Sequence, residues 1–156
     1  GQTARGPARA DEIVEIATNL DDISPVALAP VCGELMAAGA LDVSVASVLM
    51  KKGRPGFLLT VLAKPHDEAR LAALVLEMTP TFGVRVASRR RYLKARQMQG
   101  RKTGYGKIRY KVGSLGGPVV TQSPESDDVL AAARKRGVWA HRVFADLHHE
   151  TGHHHP

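Results

Sequence analysis

Ile13, Val14 and Ile16 make a short β-branched run between Glu12 and Thr18, the pattern of a strand. Asn19-Leu20-Asp21-Asp22-Ile23 follows, and Ser24-Pro25 then puts an N-cap residue before a proline at the first helical position. The spacing of Leu28, Val31, Cys32, Leu35 and Met36 predicts an apolar helix face, with Pro30 able to kink the helix and Gly39 to end it after about Ala38. Leu41 to Met50 alternates through Val43 and Val45 and reads as a second strand. Lys51-Lys52-Gly53-Arg54-Pro55-Gly56 is a turn by composition, and Phe57 to Ala63 is a mostly apolar run, the mark of a buried third strand. Pro65 to Met78 predicts a second helix with Leu71, Leu74 and Val75 inward. Gly83 to Ala87 opens a fourth strand.

This order, β-α-β-β-α-β, predicts an α+β fold of the ferredoxin-like, split βαβ kind: a four-stranded antiparallel sheet with two helices on one face. Farther on, Ile108, Tyr110 and Val112 alternate with Lys107, Arg109 and Lys111 between Tyr105 and Val112, an amphipathic strand. Val119-Val120-Thr121 is expected to pair with it as a hairpin, because Gly113, Gly116 and Gly117 fill the connection. Ser123-Pro124 repeats the cap-then-proline signal, and Glu125, Asp127 and Asp128 place acids in the first turn of a helix to about Arg136. Trp139 to Leu147 reads as a last strand or helix. The expected organisation is a lead-in or linker over 1–10, a ferredoxin-like domain over 11–92, a smaller C-terminal hairpin-and-helix extension over 93–147, and a His-rich tail over 148–156. There is no internal repeat.

Composition narrows the function classes. Aromatic residues are 4% of the chain, so the core must come from Leu, Val, Ala and Ile. The lone cysteine, Cys32, excludes an intrachain disulfide and any Cys-cluster zinc site and fits a reducing, cytoplasmic setting. No apolar run approaches the ~20 residues of a membrane span. The formal charge of +7 points to anionic partners, and the cations concentrate at 51–54, 85–96 and 101–111. That clustering suits a local phosphate site better than a surface that coats a polyanion.

Three stretches carry candidate chemistry. Asp21 and Asp22 lie between a strand end and a helix start, where hard oxygen ligands suit Mg²⁺ or Mn²⁺ and helix N–H groups favour an anion. With Ser24 available as cap, two more acids exceed what capping requires. Lys51, Lys52 and Arg54 crowd three cations into four positions, which suits phosphate oxygens and equally suits a solvated turn tip. Thr81 and Arg85, around Phe82-Gly83, lie at a helix-to-strand junction where a hydroxyl and a guanidinium can bracket a phosphate. A ferredoxin-like RNA-binding sheet would expose aromatics on its middle strands, but here these hold only aliphatics and Phe57. His148, His149 and His153 to His155 suit Ni²⁺, Zn²⁺ or Cu²⁺ without defining a formed site. There is no Ser–His–Asp set, P-loop or Cys-x-x-Cys.

Taken in order, Asn19-Leu20-Asp21-Asp22, Gly39-Ala40-Leu41-Asp42-Val43, Met50-Lys51-Lys52-Gly53-Arg54-Pro55-Gly56 with Thr60-Val61-Leu62, and Thr81-Phe82-Gly83-Val84-Arg85 resemble the C-terminal domain of the nickel-pincer cofactor nickel insertion protein family, LarC. Weaker echoes fall in Thr103-Gly104-Tyr105-Gly106, Lys111-Val112 and Pro124-Glu125 with Asp127-Asp128, so the likeness spans about residues 12–145. It implies CTP-dependent insertion of nickel into pyridinium-3,5-bisthiocarboxylic acid mononucleotide through a cytidylylated intermediate, with CTP held alongside Mn²⁺ or Mg²⁺. It implies too a further N-terminal domain, so that this stretch is not a complete enzyme, and a homo-oligomer, with neither nucleic acid nor membrane as partner. On that resemblance Asp21 and Asp22 hold the metal. Lys51, Lys52 and Arg54 hold the phosphates and act in catalysis, while Asn19, Thr81 and Arg85 complete the nucleotide site. Two positions depart from the family pattern: Glu77 is one place off the usual acid, and Ser126 stands where a tyrosine is common. A basic nucleic-acid-binding module and a ligand-sensing regulatory domain of the same fold are the competing readings.

Overall fold

The computed structural model describes residues 9–152, a mixed α+β chain with antiparallel sheets and four helices. It divides into two compact units, one over Ala10–Arg91 and one taking in the chain from Tyr92 onward. Residues 1–8 of the lead-in expected over 1–10 and the histidines at 153–155 lie outside the described residues, whereas Arg9 and Ala10 open the first strand instead of belonging to a linker.

In the first unit β1 (Arg9–Leu20), α1 (Pro25–Ala37), β2 (Asp42–Leu49), β3 (Pro55–Ala63), α2 (Glu68–Met78) and β4 (Arg85–Leu93) build a sheet of order β2-β3-β1-β4. β1 and β3 run antiparallel from Val14↔Ala63 to Leu20↔Phe57, and β2 joins the far side of β3 from Asp42↔Leu62 to Leu49↔Pro55. Because strand side chains alternate, Val14, Ile16, Thr18 and Leu20 share one face with Leu59, Val61 and Ala63. That face meets Leu28, Val31 and Leu35 of α1 and Leu71 and Val75 of α2 in one buried core. Cys32 is half-buried against it. Met36, expected inward, is 48% exposed, because the arc the core covers is narrower than the apolar stripe of α1.

The alternate positions of β1 carry a polar ladder to β4. Arg91 grips Asp11 with two hydrogen bonds of 2.9 Å, and Arg89 reaches Glu15 at 3.3 Å. At the C-terminal end of α1, Arg70 of α2 donates to the Ala38 carbonyl at 2.7 Å and to Asp67 at 2.8 Å, placing a cation where the helix dipole favours one.

The second unit differs more from expectation. Its sheet has three strands, β5 (Ala95–Thr103), β6 (Gly106–Ser114) and β7 (Val119–Pro124), in that order. β5 was not legible: ARQMQGRKT has a single large apolar residue, Met98, and forms by backbone pairing with β6 from Ala95↔Ser114 to Thr103↔Gly106. Ser123-Pro124 closes β7 instead of opening a helix, since a proline at the end of an edge strand deprives no neighbour of a donor. The next helix, α3 (Ser126–Arg136), starts after Glu125 and ends at Gly137, whose left-handed φ of 65° suits glycine. The ambiguous last stretch is a helix, α4 (Ala140–Gly152), and His148 and His149 fall within it. Ile108, Tyr110 and Val112 meet Val129, Ala132 and Ala133 of α3 and Val143 and Leu147 of α4 in a second core. No described helix is long and apolar enough to cross a membrane.

Asp128 clamps Arg109 through its guanidinium at 2.8 Å and its backbone N–H at 2.8 Å. These bonds pull the carboxyl down to about 2 from an ordinary 3.8. A carboxylate depressed on folding adds stability that is complete above its unfolded pKa and fades as pH falls toward the folded one. Asp128→Asn should therefore lower Tm at neutral pH, with the gap to the parent closing between about pH 4 and pH 2 in a calorimetric series. Leu71→Ala, at a side chain fully shut from solvent, should cost about 2–5 kcal/mol in a urea titration.

Candidate functional site

Three loops meet at one end of the first sheet, for a reason set by strand direction. β1 ends where β3 begins, and the β2–β3 turn and the loop into β4 open on the same side. Asp21 and Asp22 leave β1 there, exposed, with neither hydrogen bond nor ion pair among the described residues. Ser24 caps α1 by accepting from the Ala27 N–H at 3.2 Å, so the two acids are not needed as caps. They line a cavity of about 270 Å³ with Asn19, Leu20, Pro80, Thr81 and Phe82.

The loop forming the other wall is tied down by hydroxyls. Thr18, 2% exposed near the C-terminal end of β1, sits 2.7 Å from the Thr81 hydroxyl, and both hydroxyls lie within 3.0 Å of the Gly83 carbonyl. Thr79 donates to the Val75 carbonyl at 2.8 Å. Leaving a buried hydroxyl unbonded costs roughly 1–3 kcal/mol, so this triangle is a strong anchor. Thr81 thus lies on the cavity wall as expected, but its hydroxyl is engaged within the protein. Arg85 donates to Asn19 Oδ1 at 2.7 Å, so the two residues assigned to the nucleotide hold each other across β4 and β1.

Lys51, Lys52 and Arg54 are exposed on the short turn between β2 and β3, closed by the Met50 N–H to the Arg54 carbonyl at 2.7 Å. They stand at the same sheet end as the acids, one strand over: a Cβ at Gly56 would come within 2.9 Å of the Leu20 carbonyl oxygen. None of the three lines the cavity itself. Lys52 has φ 61° and ψ 24°, the one left-handed non-glycine residue among those described. Some other cations are occupied: Arg89, Arg91 and Arg109 pair with Glu15, Asp11 and Asp128.

Two residues without a role in the sequence analysis matter here: Thr18, which ties the cavity wall from behind, and Phe82, which lines it. The first was detectable as a hydroxyl interrupting the apolar side of a buried strand. A depression of about 430 Å³ in the second unit, lined by Tyr110, Phe144 and Leu147 with Gln122, His148 and Thr151, gathers none of the residues assigned to the metal or the nucleotide, and of the candidate histidines only His148.

Fold and site thus define an α+β domain with an open acid-and-cation site at one sheet end. The chain belongs to the nickel insertion protein family, whose model matches residues 3–144. It is 39% identical over 134 residues, 86% of its length, to a pyridinium-3,5-bisthiocarboxylic acid mononucleotide nickel insertion protein from Acetivibrio thermocellus. It is 38% identical over 149 residues, 96% of its length, to a protein of Geobacter metallireducens provisionally named a nickel insertion protein. It spans only 33% and 38% of those two relatives. Among solved structures it is similar to the apo C-terminal domain of a cyclometallase involved in the synthesis of the NPN cofactor of lactate racemase, with TM-score 0.83 and 32% identity over 89% of this chain and 96% of that one. A protein from Methanopyrus kandleri, at 22% identity and TM-score 0.62, shares the fold.

Left-handed backbone costs a non-glycine residue about 1–2 kcal/mol, partly offset in a glycine by its own chain entropy of roughly 0.5–1 kcal/mol. Lys52→Gly should hence leave unfolding free energy unchanged or up to about 1 kcal/mol higher, measured in urea, whereas Lys52→Ala keeps the strain. A clear loss of stability in Lys52→Gly would mean that the lysine side chain supports the fold.

Proposed function

We propose that this chain is the nucleotide-binding part of a nickel insertase, taking CTP with Mn²⁺ or Mg²⁺ at the sheet end that carries Asp21, Asp22 and the Lys51–Arg54 turn. The observation that carries the reading is the convergence of two unpartnered carboxylates and a strained cationic turn at the ends of adjacent strands. Strain of this kind persists where surrounding structure holds it and concentrates at functional sites.

The donor set fits a hard divalent ion. Asp21 and Asp22 offer carboxylate oxygens, and among the described residues no cluster of three His, Cys, Asp or Glu forms a closed metal cage. An ion held by one or two carboxylates that completes its shell with phosphate oxygens and water is the usual arrangement for Mg²⁺ and Mn²⁺. Such an ion neutralises triphosphate charge and orients the phosphorus that reacts. Lys51, Lys52 and Arg54 hold the remaining phosphate charge from the neighbouring strand. Arg85 fixes Asn19, leaving its amide NH₂ for a ribose or phosphate oxygen. Thr81 positions the loop.

The substrate on this reading is pyridinium-3,5-bisthiocarboxylic acid mononucleotide, activated as a cytidylylated intermediate with loss of pyrophosphate before nickel enters. The relative's name supports that substrate. The strand order supports a ferredoxin-like split βαβ unit for the first domain. A further N-terminal domain of the same family, self-association and a cytoplasmic setting complete the picture.

Asp21→Ala and Lys52→Ala should each weaken CTP·Mn²⁺ binding about tenfold or more by calorimetry, since each removes a charge-assisted contact. Parent-like affinity in both variants would refute the site.

A further inference from the structure

Phe82 is the most exposed large apolar side chain of the described residues, at 105%. A ring of that size ordinarily gains about 1.5–3 kcal/mol by burial, so leaving it in water calls for an explanation. The backbone beneath it is not slack. Thr81 and Gly83, its two neighbours, are both bonded into the Thr18 hydroxyl triangle, and Thr79 is bonded to α2. The loop presents the ring and holds its base still. Phe82 also lines the cavity whose other wall carries Asp21 and Asp22.

Resting on the nucleotide reading above, we infer that Phe82 is a stacking platform for the flat heteroaromatic ring of a phosphorylated nucleotide whose phosphates lie toward Asp21, Asp22 and the Lys51–Arg54 turn. The two walls meet the two halves of such a ligand. Acids with a divalent ion suit the phosphates, and a bare aromatic face suits a planar ring. The cavity, about 270 Å³, falls below the roughly 300–1,000 Å³ of sites that swallow a ligand whole. The ring therefore rests on the rim, where an exposed phenyl is useful. Two rings share this chemistry: the nucleobase of the triphosphate, which stacks, and the cationic pyridinium of the substrate, which a phenyl face attracts as well.

Calorimetry with three probes, each with Mn²⁺, separates the outcomes: CTP, nicotinic acid mononucleotide as a pyridine-ring mononucleotide, and inorganic tripolyphosphate, which has no ring. Phe82→Ala should weaken CTP, the mononucleotide or both by about 5- to 100-fold, the range expected for one stacked base. Tripolyphosphate affinity should be unchanged, and Phe82→Tyr should restore ring binding. The ring-bearing probe that responds identifies the source. Equal affinity of parent and Phe82→Ala for all probes, or an equal loss for all three, overturns the inference while leaving the phosphate site standing. If the parent binds no probe, the nucleotide reading fails and this inference with it. If Phe82→Ala alters sedimentation mass and no affinity, the ring is a subunit contact and the inference is wrong.

Discussion

The antiparallel pairing of β1 with β3 is the constraint on which the site depends. Setting Val14 opposite Ala63 and Leu20 opposite Phe57 does two things at once. It stacks the buried alternate residues of both strands on one face, where the helices close over them. It also puts the exit of β1 beside the entry to β3, so the acids and the cationic turn become neighbours despite the 28 residues of chain between Asp22 and Lys51. A one-residue slip in this pairing would turn the buried set outward, so burial protects the register that builds the site.

Thr18 links the core to the candidate chemistry. It occupies a core position on the helix-covered face, yet its hydroxyl is spent on the loop that carries Thr81, Phe82 and Gly83. A valine there would pack as well and leave the loop untied. Fold and site are therefore not separable layers along β1: alternate residues from Val14 to Leu20 support the core, while Asn19, Asp21 and Asp22 serve the open end. Arg85 and the ladder of Arg89 and Arg91 tie β4 to β1, and these bonds absorb cations that composition alone offers to an outside anion. At the sheet end that carries the acids, Lys51, Lys52 and Arg54 of the β2–β3 turn are without an ion pair among the described residues, as are Arg90, Arg96, Lys107 and Lys111 elsewhere in the chain.

Much of the first unit was readable from pattern because its elements are one-sided. Ser24-Pro25, the inward Leu71 and Val75, and the even-numbered residues of β1 each combine a local signal with a burial that agrees with it. The second unit was harder for physical reasons that can be named. β5 is an edge strand held by backbone bonds to β6, so its side chains need no alternation. Ser123-Pro124 has the chemistry of a helix start, but it falls where β7 still pairs with β6, and Glu125 takes the boundary instead. Val143 and Leu147 are four apart, a helical spacing too brief to decide the matter until α3 and β6 are present to bury them.

The residues themselves determined which groups carry charge, which faces are apolar and in what order the elements come, since these follow from side-chain chemistry and short-range spacing. They also sufficed to single out Asp21, Asp22, Lys51, Lys52 and Arg54. Only the tertiary structure decided which charges are already spent inside the protein, that Thr81 is a tie, and that Phe82 stands bare beside the acids. Those facts depend on contacts between strands distant in sequence, and no local pattern encodes what a side chain will meet once the sheet is assembled.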